Sequence, residues 1–338
     1  MKKLIDINDP LFQWVLHPNN LYEYGIELGV SSRNLLENTK LTTADIENVE
    51  LKISWLQYKE LAENVRGHCG EDWGFQFGKR LSVSSHGLLS LLLLNCSDWQ
   101  EVIELMVGLP NLVSPIFYVS KKETDEYVTL TVHPEATRHP ILDYSMETLF
   151  TSFYQMMRQL GGEDLENSPD KIRILVKAQT PNHNQLMKTF FQENISWGHY
   201  ANEVRIKKTL LERKIPNANA ITASSTKRML YAQLSQLPAT KGGLNELREL
   251  FQKGIYKQEK CAEYLFTTVP TLKRFLKSAS TSFSNELAIF RVEEACWFAE
   301  NTNLTAAEVS EKLGFQDANS FARFFKQSLG VPFNSFRG

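Results

Sequence analysis

The chain has 338 residues, 42% hydrophobic and 22% charged, with a formal net charge of −2; at roughly 100–200 residues per domain this is a length for two folded units, and the composition excludes disordered, collagen-like and disulfide-scaffold proteins. Lys2 and Lys3 precede no uninterrupted apolar run, and the most apolar stretch, Leu88 to Leu94, is broken by Ser90 and far shorter than the roughly 20 residues that span a bilayer, so neither export nor a membrane partner is expected. Cys69, Cys96, Cys261 and Cys296 form no CxxC pair and no histidine array, which predicts reduced core thiols in a cytoplasmic protein without structural zinc or cofactor.

Residues 11 to 110 read as an all-helical opening, with apolar residues at helical spacing in Trp55-Leu56-Tyr58-Leu61-Val65 and Trp99-Val102-Ile103-Met106. The runs Pro115 to Val119 and Tyr127 to Val132 are β-rich and flank a polar turn from Lys121 to Glu126, which predicts a hairpin. A helix is predicted over Ile141 to Leu160, ending at Gly161-Gly162. Then follow a strand over Lys171 to Lys177, a helix over Asn184 to Gln192 and a short strand over Val204 to Lys207. Residues 1–214 thus read as one α+β unit.

Residues 215–243 are rich in Asn, Ala, Ser, Thr, Pro and Gly and read as a linker with one short helix around Lys227 to Leu237. Residues 244–338 read as almost entirely helical, so the expected fold class is α+β, a mostly helical two-domain protein with an all-α C-terminal domain. From Thr240 onward there are 13 Lys and Arg against 11 Asp and Glu, a positive balance absent from the acidic remainder and suited to phosphate.

Thr305 to Leu313 predicts a helix capped by Thr305, with a break at Gly314 and a second helix from about Ala318. Two short helices joined by a glycine turn are the helix-turn-helix layout. Ala307, Val309, Leu313, Phe315, Phe321, Phe324 and Phe325 are expected to face the core. Upstream, Glu259 to Leu265, a turn at Phe266 to Thr268 and a helix over Val269 to Lys277 make a second such unit, with Leu272, Phe275 and Leu276 inward. Between them Phe283 to Glu300 reads as one long amphipathic helix with Phe283, Leu287, Phe290, Trp297 and Phe298 near one stripe. A rod holding two such units suits successive major grooves about 34 Å apart.

The candidate DNA-facing residues are Thr268, Pro270, Thr271, Lys273, Arg274 and Lys277 in the first unit and Ala318, Asn319, Ser320, Ala322, Arg323 and Lys326 in the second. Asn bonds adenine bidentately, Arg bonds guanine or phosphate, and Ala sits against a thymine methyl. Arg291 reads either as a phosphate contact or as a structural partner of an acid such as Glu294, with the structural role preferred.

Gly314-Phe315-Gln316-Asp317, Phe321-Ala322-Arg323-Phe324-Phe325-Lys326, Gly330-Val331 and Phe336-Arg337 resemble the C-terminal signature of the AraC/XylS regulators. Phe266 and Ser280 stand where that family usually has Gly, and Asn319 where Ser is common. Gly25 to Val30, Trp73 to Gly78 and His86 to Leu89 resemble the arabinose-binding-like regulatory domain of the ornithine-utilisation type of the same family. The resemblance implies a transcription activator whose partners are double-stranded promoter DNA, RNA polymerase and a small-molecule effector, with a homodimer as its assembly. The competing reading is a ligand-binding or interaction module with a helical docking tail, which would show an apolar stripe outside Ala318 to Lys326.

Enzymatic readings find little. Gly74 to Lys79 misses the P-loop in spacing and lacks its hydroxyl, and His133-Pro134-Glu135 has no partnered nucleophile or metal-ligand array. Trp73, Phe75 and Phe77 read as packing residues before they read as an effector pocket.

Overall fold

The computed structural model describes residues 7–108, 117–134, 139, 141–161, 171–216, 218–235 and 243–336. The expectations that involve Pro115, Ile116, Glu135, Gly162, Leu237 and Arg337 lie outside the described residues, as do residues 236–242 of the expected linker. What is described divides into an N-terminal unit within Asp6–Ala239 and a C-terminal unit from Thr240 onward.

In the N-terminal unit five strands form a sheet in the order β3 (Phe117–Glu123), β4 (Tyr127–Pro134), β7 (Asn202–Lys207), β5 (Ile172–Val176) and β6 (Ile195–Trp197). All pairs are antiparallel except β5 with β6. The hairpin is longer than its sequence suggests. Lys121 and Lys122 pair with Leu130 and Thr129 inside the ladder, and the turn closes where the Thr124 N–H donates to the Tyr127 carbonyl at 2.9 Å. Lysines are tolerated there because β3 is an edge strand, where charge blocks further pairing.

The opening is not all helical. β1 (Pro10–Gln13) pairs antiparallel with β2 (Lys52–Ser54), and runs of four and three residues are too short to show a period of two. The helix Ala220–Ser235 starts well before Lys227: the Asn219 side chain accepts from the Ile221 and Thr222 N–H groups, and alanine at 220 and 223 favours the first turns. Leu230, 2% exposed, belongs to the core, and this helix packs on Leu88–Leu93.

The helix Ile141–Gly161 is buried around most of its circumference, and Trp73–Arg80 packs along it. Gly74 and Gly78 make that approach possible. A Cβ on Gly74 would stand 2.5 Å from the Tyr144 carbonyl oxygen and one on Gly78 2.8 Å from that of Thr148, while the Thr148 hydroxyl donates to the Gly74 carbonyl at 2.8 Å. Trp73, Phe75 and Phe77 are 3%, 2% and 1% exposed, so this motif is an interior helix contact.

A cavity of about 50 Å³ in the N-terminal unit is lined by Leu89, Met106 and Phe153 together with His17, Tyr58 and His86. The His17 Nδ1 is 3.1 Å from the Tyr58 hydroxyl, and burial first, then the neighbouring His86, push the His17 imidazole down to about 4. Unfolded histidine takes its proton near pH 6.5, so the folded chain loses stability as pH falls from there towards 4, by on the order of 3 kcal/mol from this residue. Thermal unfolding of His17→Gln should show a shallower loss between those pH values than the parent. A parallel loss in both would free His17 of that role.

In the C-terminal unit the helix Phe283–Asn301 is central and not amphipathic as expected. Its buried residues are Glu286, Phe290, Glu293, Glu294, Ala295, Cys296 and Ala299, because Gly243–Gln252, Ala318–Leu329 and Phe333–Phe336 pack on it. The acids are accommodated by partners. Glu293 meets Arg248 at 2.6 Å, both side chains about nine-tenths buried, and the Thr281 hydroxyl donates to Glu286 at 2.7 Å. Of the expected stripe only Phe290 is fully buried; Phe283, Leu287, Trp297 and Phe298 are half-buried.

Candidate nucleic-acid interface

The first pair of helices is Gln258–Tyr264 and Val269–Ser278. Thr268 caps the second: its hydroxyl accepts the Thr271 N–H at 3.3 Å, and Pro270 sits in the first turn, where its missing N–H costs nothing. Leu272, Phe275 and Leu276 are buried, which turns Lys273, Arg274 and Lys277 outward. Thr268 and Pro270 are exposed and Thr271 is half-buried. The turn before this helix runs through Phe266 at φ 53, a left-handed conformation without glycine, and Ser280 after it has φ 57. Phe266 is 73% exposed and Tyr264 57%, so two aromatic rings flank the turn in solvent.

The second pair is Ala306–Lys312 and Ala318–Leu329. Thr305 caps the first through a reciprocal box with Glu308, and Asp317 caps the second, accepting the Ser320 N–H at 2.7 Å. Those hydrogen bonds from Ser320, backbone first, hold the Asp317 carboxyl below its usual range. Phe321 and Phe325 are fully buried and Phe315 and Phe324 half-buried, with their two rings 5.1 Å apart. Asn319, Ala322, Arg323 and Lys326 are exposed, and Ala318 and Ser320 half-buried. That face is polar and basic. Gln316 and Gln327 are exposed beside it; Gln327 lies four residues beyond Arg323, a helical spacing that placed it on the same face from the start. Ala307 is exposed and Ser310, 2% exposed, takes the inward position instead, because the helix is rotated to bring Val309 and Ser310 to the core.

The turn at Gly314 is clamped from the central helix. Arg291 donates from Nε to the Leu313 carbonyl and from a terminal nitrogen to the Gly314 carbonyl, both at 3.0 Å. Its guanidinium stands 4.2 Å from the Phe315 ring centroid and 5.2 Å from that of Tyr256, and the Tyr256 hydroxyl donates to the Lys312 carbonyl at 2.9 Å. Burial pulls the Arg291 guanidinium below its usual range. Its partners are carbonyls and rings, neither Glu294 nor a group left open to phosphate.

Residues 29–215 match the family model described as the arabinose-binding N-terminal domain of AraC transcription regulators, and residues 261–338 match a helix-turn-helix domain. An ornithine utilization regulator of Pseudomonas aeruginosa is 23% identical over 96% of this chain and 95% of its own. The HTH-type transcriptional regulator VqsM of the same species is 23% identical over 80% of this chain and 85% of its own. The crystal structure of the transcriptional regulator CdpR, also from that species, aligns with a TM-score of 0.49 at 17% identity over 96% of this chain and 99% of that one. The N-terminal match alone spans more than half of the chain, which belongs to the AraC family of DNA-binding transcription regulators.

Proposed function

We propose that this protein is a transcription activator that reads promoter DNA with Thr268, Pro270, Thr271, Lys273, Arg274 and Lys277 in one major groove and Ala318, Asn319, Ser320, Ala322, Arg323 and Lys326 in the next. The observation that carries the reading is that each pair of helices ends in a side-chain-capped helix whose apolar face is buried and whose basic face is open. Arg323→Ala should weaken binding to selected operator DNA by about 1–3 kcal/mol and relax the preference at one base pair. Lys273→Ala should weaken all sequences alike and flatten the salt dependence by about one unit of slope. Fluorescence anisotropy across a salt series separates the two; unchanged affinity in a folded Arg323 variant removes that residue from the interface.

In this reading residues 1–214 sense an effector or dimerise, 215–243 connect, and 244–338 bind DNA. The protein acts in the cytoplasm by binding alone, catalysing no reaction, and recruits RNA polymerase as a homodimer. The relative named for ornithine utilization supports a metabolite as effector. A fragment beginning near Lys241 is expected to fold and bind DNA more weakly than the full chain, for want of the dimer. A fragment unfolded by circular dichroism would move the boundary.

A further inference from the structure

The cavity that His17, Tyr58 and His86 share with Leu, Met and Phe side chains has a volume of about 50 Å³. Three hydroxyls on its wall are spent on the backbone. Ser145, Thr148 and Ser152 donate to the Ile141, Gly74 and Leu149 carbonyls at 3.2, 2.8 and 3.1 Å. The imidazoles are not spent. Tyr58 is 3% exposed and its hydroxyl has the His17 Nδ1 as partner. A buried phenol donates rather than leave its hydrogen unpaired, so Nδ1 accepts and the neutral ring carries its hydrogen on Nε2. That Nε2–H and both ring nitrogens of His86 have no hydrogen-bond partner among the described residues. Unlike the Trp14 and Trp73 indole nitrogens, none of the three is sealed off from open space, and the space that both imidazoles line is the cavity.

What these nitrogens lack fixes the chemistry of an occupant. The His17 Nε2–H is a donor and calls for an acceptor atom; a neutral His86 supplies one donor and one acceptor. No Asp, Glu, Lys or Arg is among the described residues that line the cavity. Burial is the first cause that lowers both imidazoles, His17 to about 4, so near pH 7 a ligand anion meets no cation there and a ligand cation no anion. Either ion would enter at a large desolvation cost. The volume is about a third of the roughly 150 Å³ that takes a benzene molecule, which leaves room for about four non-hydrogen atoms. Water satisfies the nitrogens but not the rest of the wall, because Leu89, Leu93, Met106 and Met156 offer it nothing to bond.

We propose that this cavity binds a small uncharged molecule with an apolar body and one carbonyl or hydroxyl oxygen, the oxygen accepting from His17 Nε2 and the body lying against Leu89, Leu93, Met106 and Met156. The proposal rests on the effector reading above for its regulatory role and gives that effector a chemical class. Occupancy has a route out of the cavity. Leu89 and Leu93 line it, and the helix Leu88–Leu93 to which they belong carries the helix Ala220–Ser235, the last one described before residues 236–242.

The test uses the full chain labelled with carbon-13 at its methionine methyl groups, because Met106 and Met156 line the cavity while Met229 is 56% exposed and serves as the control. Acetone and 2-propanol are the probes, and acetate and isopropylammonium are ions of the same two shapes. At least one neutral probe should shift the Met106 and Met156 methyl signals saturably, with a Kd between roughly 0.05 and 5 mM as the size of such a ligand allows, and leave Met229 still. Neither ion should do so. His17→Phe should weaken the neutral probes at least fivefold, about the loss of one hydrogen bond, while xenon, which needs only an apolar hollow, still shifts both methyls. No saturable shift with either neutral probe would mean a cavity for water alone and overturns the proposal. Equal affinity for an ion, or unchanged affinity for the neutral probes in His17→Phe, overturns it as well. If His17→Phe loses xenon too, its ring has filled the cavity, and the contrast between neutral probes and ions in the parent chain decides. Anisotropy on operator DNA selected with the full chain is a separate arm: a neutral probe that fills the cavity and leaves DNA affinity and transcription unchanged upholds the site and overturns the effector reading.

Discussion

Gly314→Ala is expected to destabilise the C-terminal unit by about 3 kcal/mol, lowering its Tm by roughly 10 °C or more and taking DNA binding with it. Two effects add. Gly314 has φ +66, where any side chain costs about 1 kcal/mol or more through contact with its own backbone. A Cβ there would also lie 2.3 Å from two ring carbons of Tyr256, and that ring cannot easily yield. Its hydroxyl is tied to the Lys312 carbonyl, and its face is covered by Arg291. Gly330 supplies the internal comparison, since it has φ +78 and a methyl group placed on it would meet nothing within 4 Å, so Gly330→Ala should cost only the backbone share. Thermal unfolding of both variants in the full chain checks this. Equal, small losses would mean that the Gly314 turn relaxes away from Tyr256, and the tight packing would then have no energetic weight. By the same logic Ser280→Gly should stabilise slightly, because Ser280 already holds a left-handed backbone with a side chain.

Local chemistry was the legible part of this chain. Thr305 before an apolar-periodic run, Gly314 between two short helices and the spacing of Leu272, Phe275 and Leu276 are each decided within a few residues, and all three appear in the structure as read. The resemblance in Trp73 to Gly78 was legible as a pattern, yet its cause is a contact with Tyr144 and Thr148, some 70 positions along, which no spacing carries. The central helix failed for the same reason. Its hydropathy cannot tell that Glu293 is inside, because the Arg248 guanidinium that makes this tolerable comes from a separate helix.

Arg291 is where the two readings of a single basic residue part, and Arg291→Ala should cost the C-terminal unit about 3–5 kcal/mol, summing two lost charge-assisted hydrogen bonds and the stacking on two rings. The carbonyls of Leu313 and Gly314 lose their donor together, and the Phe315 and Tyr256 rings lose the flat group between them. Lysine is no rescue. Its single ammonium cannot reach both carbonyls with fixed geometry or lie flat on Phe315, so Arg291→Lys should recover well under half of the loss. A phosphate contact predicts the opposite ranking, because there lysine substitutes by charge alone and alanine flattens the salt slope by about 0.9. The two can be separated below the Tm of the variant, where the folded fraction still binds. Salt slopes for the parent and for Arg291→Lys that coincide, together with a large drop in Tm, fit a clamp on the turn; a preserved Tm with a flattened slope would move Arg291 out to the DNA and leave the turn held by Gly314 and Tyr256 alone.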